Sequence, residues 1–422
     1  MATSVRVLNV LRNRYIAILL TGQFVSTIGD NVFSIALYWY VLSATHSRVA
    51  LGLVGMATSL AMAAGLVSGV FVDRWDRRNT MIVSDLIRAV LALLLALLAI
   101  LRGLPLGAVL GIVLCIEAVG AFFMPAELGL LPGLVGRDQL GEVNGVNTSI
   151  SSAAQLIGQG LGGAILGFIG PVLLFVANGL SFGVSVISLL FLPRSKKVGG
   201  ETSAESKKNT RELVHGLWDD LMSGYRLIFR SGFLKRVIAV GAVANFFLQP
   251  LSVLQVAWVR QVLHLGAFAY GLFGVALVIG SMVGGIVAAA VASKVPHRSS
   301  FLLGIALEGI LLMALSVLHA LVPDLLVMAC LGVVFSVLNT IGATMLQSTV
   351  PESHLGRVIA PVVALNYMLM PLGALLAGIV ASIMPLSWVF LVSGALCMAS
   401  ITIGFGMPKE LGAISFDESS AT

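Results

Sequence analysis

The sequence predicts an all-α membrane protein: twelve transmembrane helices in two pseudo-symmetric six-helix bundles. Three observations lead there. Of 422 residues, 58% are hydrophobic and only 10% charged, with a mean hydropathy of +1.02, well outside the range of a water-soluble domain. The apolar residues fall into runs of roughly 20 or more, enough at ~1.5 Å per residue to cross a ~30 Å hydrocarbon layer as helices. Strand-like alternation is absent, which argues against a barrel, and one polar stretch separates six runs from six.

The first span, Tyr15–Ser43, follows Arg6, Arg12 and Arg14 without a small-residue cleavage site, and is expected to be an uncleaved signal-anchor. Val49–Val72, Met81–Leu101, Gly107–Leu128, Val143–Phe168 and Pro171–Leu192 complete the first bundle, residues 1–192. The polar stretch 193–236 is a linker. Within it Leu213, Leu217, Leu221, Tyr225 and Ile228 recur near helical spacing opposite Asp219, Asp220 and Arg226. That pattern fits a helix lying on the leaflet, or a solvated helix packed under the bundle. Lys235–Val259, Ala267–Ala292, Phe301–Leu321, Leu325–Thr349, Val358–Ile383 and Trp388–Met407 form the second bundle, 237–407, with a tail at 408–422.

Charge sets the orientation. Of 25 lysines and arginines, only Arg48, Arg102 and Arg260 fall in the loops on the side away from the amino terminus. The positive-inside rule therefore places both ends of this multi-pass protein in the cytoplasm. The pI near 9.4 reports this topology, so nucleic acid is not an expected partner. Cys115, Cys330 and Cys397 lie in apolar spans without paired spacing, and the six histidines lie in loops or at span ends. No disulfide framework, metal site or cofactor is expected. Nor is there a phosphate-binding GxxxxGK[ST] loop for an ATP-driven pump, or a gathering of nucleophile, base and metal ligands for an enzyme.

Equal six-span halves are the layout of transporters in which substrate binds near the midplane between rocking repeats. Two loop pairs echo each other across the halves, "DRWDRR" with "SKVPHRSS" and "VGRDQLGEVNG" with "VPESHLGRVIA".

The stretch "GVFVDRWDRR" resembles the signature loop of the major facilitator superfamily, with Gly69, Asp73, Arg74, Arg77 and Arg78 matching and Asp76 standing where a second glycine is usual. That departure is similar to the branch holding macrolide-efflux pumps and catecholate-siderophore exporters. "GQFVSTIGD", "FMPAELGLLPGLV" and "GRVIAPVVALNYMLMPLGALLAGIV" resemble the same branch. The resemblance implies a major facilitator fold and a cytoplasmic latch, closed against span eleven when the cavity faces outward. Gly69 is expected to let the end of span two approach its neighbour closely, and Asp85 and Arg88 to extend the latch's charge network.

Carboxylates at mid-membrane cost at least about 2.5–3.5 kcal/mol on insertion scales, which makes them functional candidates. Asp30, Glu117 and Glu308 qualify. Gln23, Thr27, Asp30, Ser34 and Tyr38 recur at steps of three or four and make one polar stripe on span one. The resemblance puts spans one, four, seven and ten around the cavity. Similar stripes run along span seven (Asn245, Gln249, Ser252) and span ten (Ser336, Thr340, Gln347). Asp30 and Glu117 are read as the proton-coupling pair, since carboxyls withdrawn from water can exchange between protonated and ionised forms. Either could instead be a hydrogen-bonded structural acid, and Glu308 receives no role.

Span five carries "SSAAQLIGQGLGGAILG", whose small residues favour close helix packing. It resembles the superfamily's antiporter motif: Gly158, Gly162 and Gly163 match, while Gln159 replaces proline. Tyr38, Trp39, Phe246, Phe247 and Tyr367 are candidate aromatic walls. Trp388 is expected to be an interfacial anchor. The expected function is proton-coupled export of a bulky amphipathic compound, macrolide-like or lipophilic, by a monomer in a lipid bilayer. An endogenous siderophore or lipid-like metabolite is the alternative substrate, and a non-transporting receptor the alternative class.

Overall fold

A computed structural model describes residues 12–72, 75–101, 105–136, 139–193, 222, 224–291, 295–350 and 352–405. Among them no strand occurs. Helices α1 (Arg14–Thr45), α2 (Arg48–Val72) and α3 (Arg77–Ile100) are the first three crossings. The fourth is split at Ala121 and Phe122 into α4 (Leu106–Gly120) and α5 (Phe123–Leu134). The fifth and sixth run together as α6 (Leu140–Leu190), bent where Gly170 takes a positive φ of 76° ahead of Pro171. Only glycine adopts that backbone freely, and proline, with no N–H to donate, starts the next helix.

In the second half α7 (Gly232–Ala257) widens into a π turn at Trp258–Val262. Helices α8 (Ala267–Val291), α9 (His297–Leu318) and α10 (Leu321–Thr349) follow. The last two crossings are α11 (Glu352–Tyr367) with α12 (Met370–Ile383), and α13 (Leu386–Ala399) with the short α14 (Ile401–Gly404). Twelve crossings result among the described residues. Their outer faces are apolar: Phe168, Leu180 and Ile383 are 90%, 61% and 81% exposed, as a helix bathed in lipid tails requires.

The halves repeat each other in detail. Arg78, second residue of α3, donates to the carbonyls of Leu189 and Leu190 at the end of α6 (2.8 and 2.7 Å). Arg298, second residue of α9, donates to the carbonyl of Phe405 at the end of the twelfth crossing (2.9 Å). In each repeat an arginine at the start of the third span satisfies orphan carbonyls at the end of the sixth, where a cation also suits the helix dipole.

Within the halves α1 and α3 pack on α6, and α8 on α10 and α9 on α13. Across the halves contact runs along two seams, α2 with α12 and α6 with α8. Both are made of glycine. A Cβ on Gly52 would stand 2.9 Å from Gly378 Cα, and one on Gly163 only 2.5 Å from Gly271 Cα, so the backbones meet directly. Arg48 reinforces that end by donating to Gln261 Oε1 (2.8 Å) and the Ala381 carbonyl (2.6 Å). Arg260 donates to Ser43 Oγ and lies 5.2 Å over the Trp39 ring, which stacks on Tyr270. All these contacts cluster where α1 turns into α2 and α7 into α8.

Of the linker, Leu213, Leu217, Leu221, Asp219 and Asp220 lie outside the described residues, as does the tail from 408. Ile228 is buried in a cluster with Phe233 and Leu234, so this end of the stretch packs beneath the second half.

Candidate functional site

The first half holds an ion network at mid-height. Arg88 Nη2 donates to both oxygens of Asp30 (3.1 and 3.0 Å), and Nη1 reaches Asp85 Oδ1 at 3.5 Å. The guanidinium lies 4.1 Å over the ring of Phe182 from α6, a cation–π contact strengthened by exclusion of water. Gly120 makes room for it, since a Cβ there would come within 3.2 Å of Arg88 Nε. Glu117, one turn before Gly120 on α4, lies close enough to feel the charges of Asp30 and Arg88. The Asp85 side chain is fully buried, whereas that of Asp30 is 37% exposed. One carboxylate therefore anchors the arginine and the other can meet water.

This corrects the expectation that Asp85 and Arg88 belong to the latch. They are the ninth and twelfth residues of α3, too deep along the helix at ~1.5 Å per residue to reach a loop at its end. Near that end Arg77 donates to the Gly129 carbonyl (2.6 Å) and Arg78 caps α6, both within their own half. Asp76 caps α3 by accepting from the Asn79 amide (2.8 Å). Asp73 and Arg74 lie outside the described residues. The close approach expected at Gly69 is not seen among the described residues, where a Cβ there would meet nothing within 4 Å.

Two hollows flank the second half. The larger, about 780 Å³, lies between the halves and is lined from α6 by Thr148, Ser149, Ser152 and Gln155, and from α7 by Asn245, Gln249 and Ser252. The smaller, about 360 Å³, lies within the second half among α7, α9, α10 and α11, and has Gln347 and Tyr367 on its wall. Asn245, Glu308 and Phe335 line both. Glu308 is 4% exposed, and no described residue donates a hydrogen bond to it. Among the described residues neither lining contains a lysine, arginine or histidine.

The stripe on α1 goes elsewhere. Gln23, Thr27, Asp30, Ser34 and Tyr38 are on the wall of neither hollow, and nor are Glu117 and Thr340. The Thr340 hydroxyl donates to the Ser336 carbonyl (3.0 Å), and Ser336 itself lines the larger hollow. Gly158 and Gly162 face α1 at Ile28 and Val32, and Gly163 faces α8. Gln159, in place of proline, donates to Asn31 Oδ1 (3.0 Å) and covers Gly274 of the other half. Trp39 lies in the interhalf seam, and Trp388 is exposed.

Sequence reasoning missed three polar pairs, one buried and two partly buried. Asn147 donates to Glu127 (3.0 Å), Trp258 to Asp324 (2.9 Å), and Arg88 to Asp30. Glu127 and Asp324 sit at the margins of apolar runs, and an acid there was the available signal. Among the described residues no group of three or more His, Cys, Asp or Glu could hold a metal ion.

A family model described as Major Facilitator Superfamily matches residues 19–360 and 251–412. The multidrug efflux pump Tap of Mycolicibacterium fortuitum is 26% identical over 391 residues, 89% of this chain and 90% of that protein. Tap of Mycobacterium tuberculosis is 25% identical over 370 residues, 86% and 85% of the two chains. Among solved structures, a mutant of nucleoside transporter NupG superposes with a TM-score of 0.76 at 12% identity, covering 93% of this chain and 98% of that one. A bacterial homologue of the iron transporter ferroportin, in an inward-facing state, gives 0.65 at 16% identity, covering 93% and 99%. At those identities the structures speak to the fold alone.

Proposed function

The chain belongs to the major facilitator superfamily, a family of transporters, and on that premise we propose that it exports bulky amphipathic compounds from a bacterial cytoplasm by alternating access, driven by inward proton flow. The observation that carries this reading is the hollow of about 780 Å³ between two halves that, among the described residues, glycine seams join at one end. Its size and mixed lining suit a drug-sized ligand. With both termini cytoplasmic, the sealed end faces outward and the hollow corresponds to the loading state. The likeness to multidrug efflux pumps over most of the chain supports export.

In this reading Asp30, the more exposed carboxylate of the network, takes the proton. Protonation releases one side of Arg88, which Asp85 still holds, and Glu117 is the second nearby acceptor. Domain rocking then opens the seams and brings the Gly69–Arg78 loop, with Asp73 and Arg74, against span eleven. The protein works as a monomer. A lipid-like metabolite is the second substrate reading. An anionic siderophore is disfavoured, because no described residue of either lining is basic.

Everted vesicles carrying the protein test this with a macrolide, tetraphenylphosphonium and a catecholate under an imposed proton gradient. Gradient-driven uptake of the first two, abolished by a protonophore, is the expected result, and Asp30→Asn should uncouple it from the gradient. Flux of none of the three, or flux indifferent to the protonophore, overturns the reading.

A further inference from the structure

We infer that the second half carries a ligand subsite of its own, in which Glu308 receives the cationic head of an amphiphile at the junction of the two hollows. Three observations converge on it. First, Glu308 is 4% exposed and borders both hollows, yet no described residue donates to it or pairs with it. A carboxyl kept for structural reasons finds donors, because an unpaired one costs stability. Second, among the described residues no lysine, arginine, histidine or aspartate lines either hollow, so Glu308 is the only acidic side chain described on the wall and no described charge there opposes a cation.

Third, polar amides surround it. Asn339 Nδ2 gives one N–H to the Phe335 carbonyl (2.9 Å), Asn366 Nδ2 one to the Val362 carbonyl (2.9 Å), and Asn245 Nδ2 one to the Asn366 carbonyl (3.5 Å). Each amide keeps its oxygen, along with a second N–H, for a ligand. Phe301, Phe335 and Tyr367 add aromatic side chains to the same lining, and an aromatic ring that turns its face to a ligand favours a cation. The smaller hollow, about 360 Å³, takes a head group, and the larger accepts a bulky apolar body through the shared wall at Asn245, Glu308 and Phe335.

The purpose of the subsite rests on the export reading; binding itself does not. The purified full chain in nanodiscs would be titrated with tetraphenylphosphonium and with neutral triphenylphosphine oxide, and the wild type compared with Glu308→Gln and Glu308→Asp. Glu308→Gln should weaken tetraphenylphosphonium by about tenfold or more, as expected for loss of a desolvated charge pair, and leave the neutral probe within about twofold. Glu308→Asp should retain part of the preference, which separates charge from shape. Equal binding of the cation by wild type and Glu308→Gln overturns the inference. So does equal weakening of both probes, which would report damage to the hollow, and so does failure of the wild type to bind the cation. Binding that obeys Glu308 without flux in vesicles would sink the export reading and leave the subsite standing.

Discussion

The third span of each half carries a charge at the same register. Arg88 is the twelfth residue of α3 and Glu308 the twelfth of α9, and the matching caps made by Arg78 and Arg298 fix that alignment. The signs are opposite, and so are the surroundings. Arg88 sits between Asp30 and Asp85 beneath the Phe182 ring, its hydrogen-bonding fork largely used. Glu308 shares a largely apolar wall with three asparagines and has no partner among the described residues. Breaking a compensated buried charge pair strands its partner, whereas removing a lone acid strands nothing. The comparison teaches that duplicated architecture fixes where a charge can sit, and the neighbouring spans decide whether it supports the fold or waits for a ligand.

The largest expected effect breaks the first side of that comparison. Arg88→Leu leaves Asp85 fully buried without its cation and should destabilise the protein by about 3–5 kcal/mol, seen as a lowered thermal midpoint in detergent, with transport lost. The double variant Arg88→Leu, Asp85→Asn should recover part of the stability, because the stranded charge is gone. A single variant as stable as wild type would mean the network is decorative. A smaller effect tests the register. Arg78→Met removes two hydrogen bonds, one of them buried, and should cost about 1–3 kcal/mol. Arg298→Met, at an exposed single bond, should cost at most about 0.5 kcal/mol. Similar losses at both sites would show that the caps are not distinguished by burial. The smallest effect is Glu308→Gln, which should hold the thermal midpoint or raise it, because a buried acid without partners is replaced by a neutral isostere. A marked loss of stability there would reveal a structural partner and end the contrast.

Much of the architecture can be read from local sequence. Run lengths mark the spans, the basic loops order them, and "GVFVDRWDRR" places the family. The stripe of Asn245, Gln249 and Ser252 repeats at helical spacing and lies on the larger hollow's wall. The equally regular stripe of Gln23, Thr27, Ser34 and Tyr38 does not. Spacing gives one face of a helix; it does not say which neighbour that face meets. Glu308 is legible as an expensive residue in an apolar span but not as a cavity residue, because its hollow forms only where α7, α9, α10 and α11 diverge.

By itself, then, the sequence determined a membrane-spanning helical chain in two matched halves, since hydrophobic length, charge asymmetry and glycine spacing act within a single span or loop. Tertiary structure alone decided that Arg88 meets Asp30, 58 positions away, that Gly163 seats on Gly271 across the halves, and that Glu308 is left facing empty space. Those outcomes depend on how each helix is rotated about its axis against its neighbours. That phase is set by packing summed over the whole bundle, and no local pattern of residues specifies it.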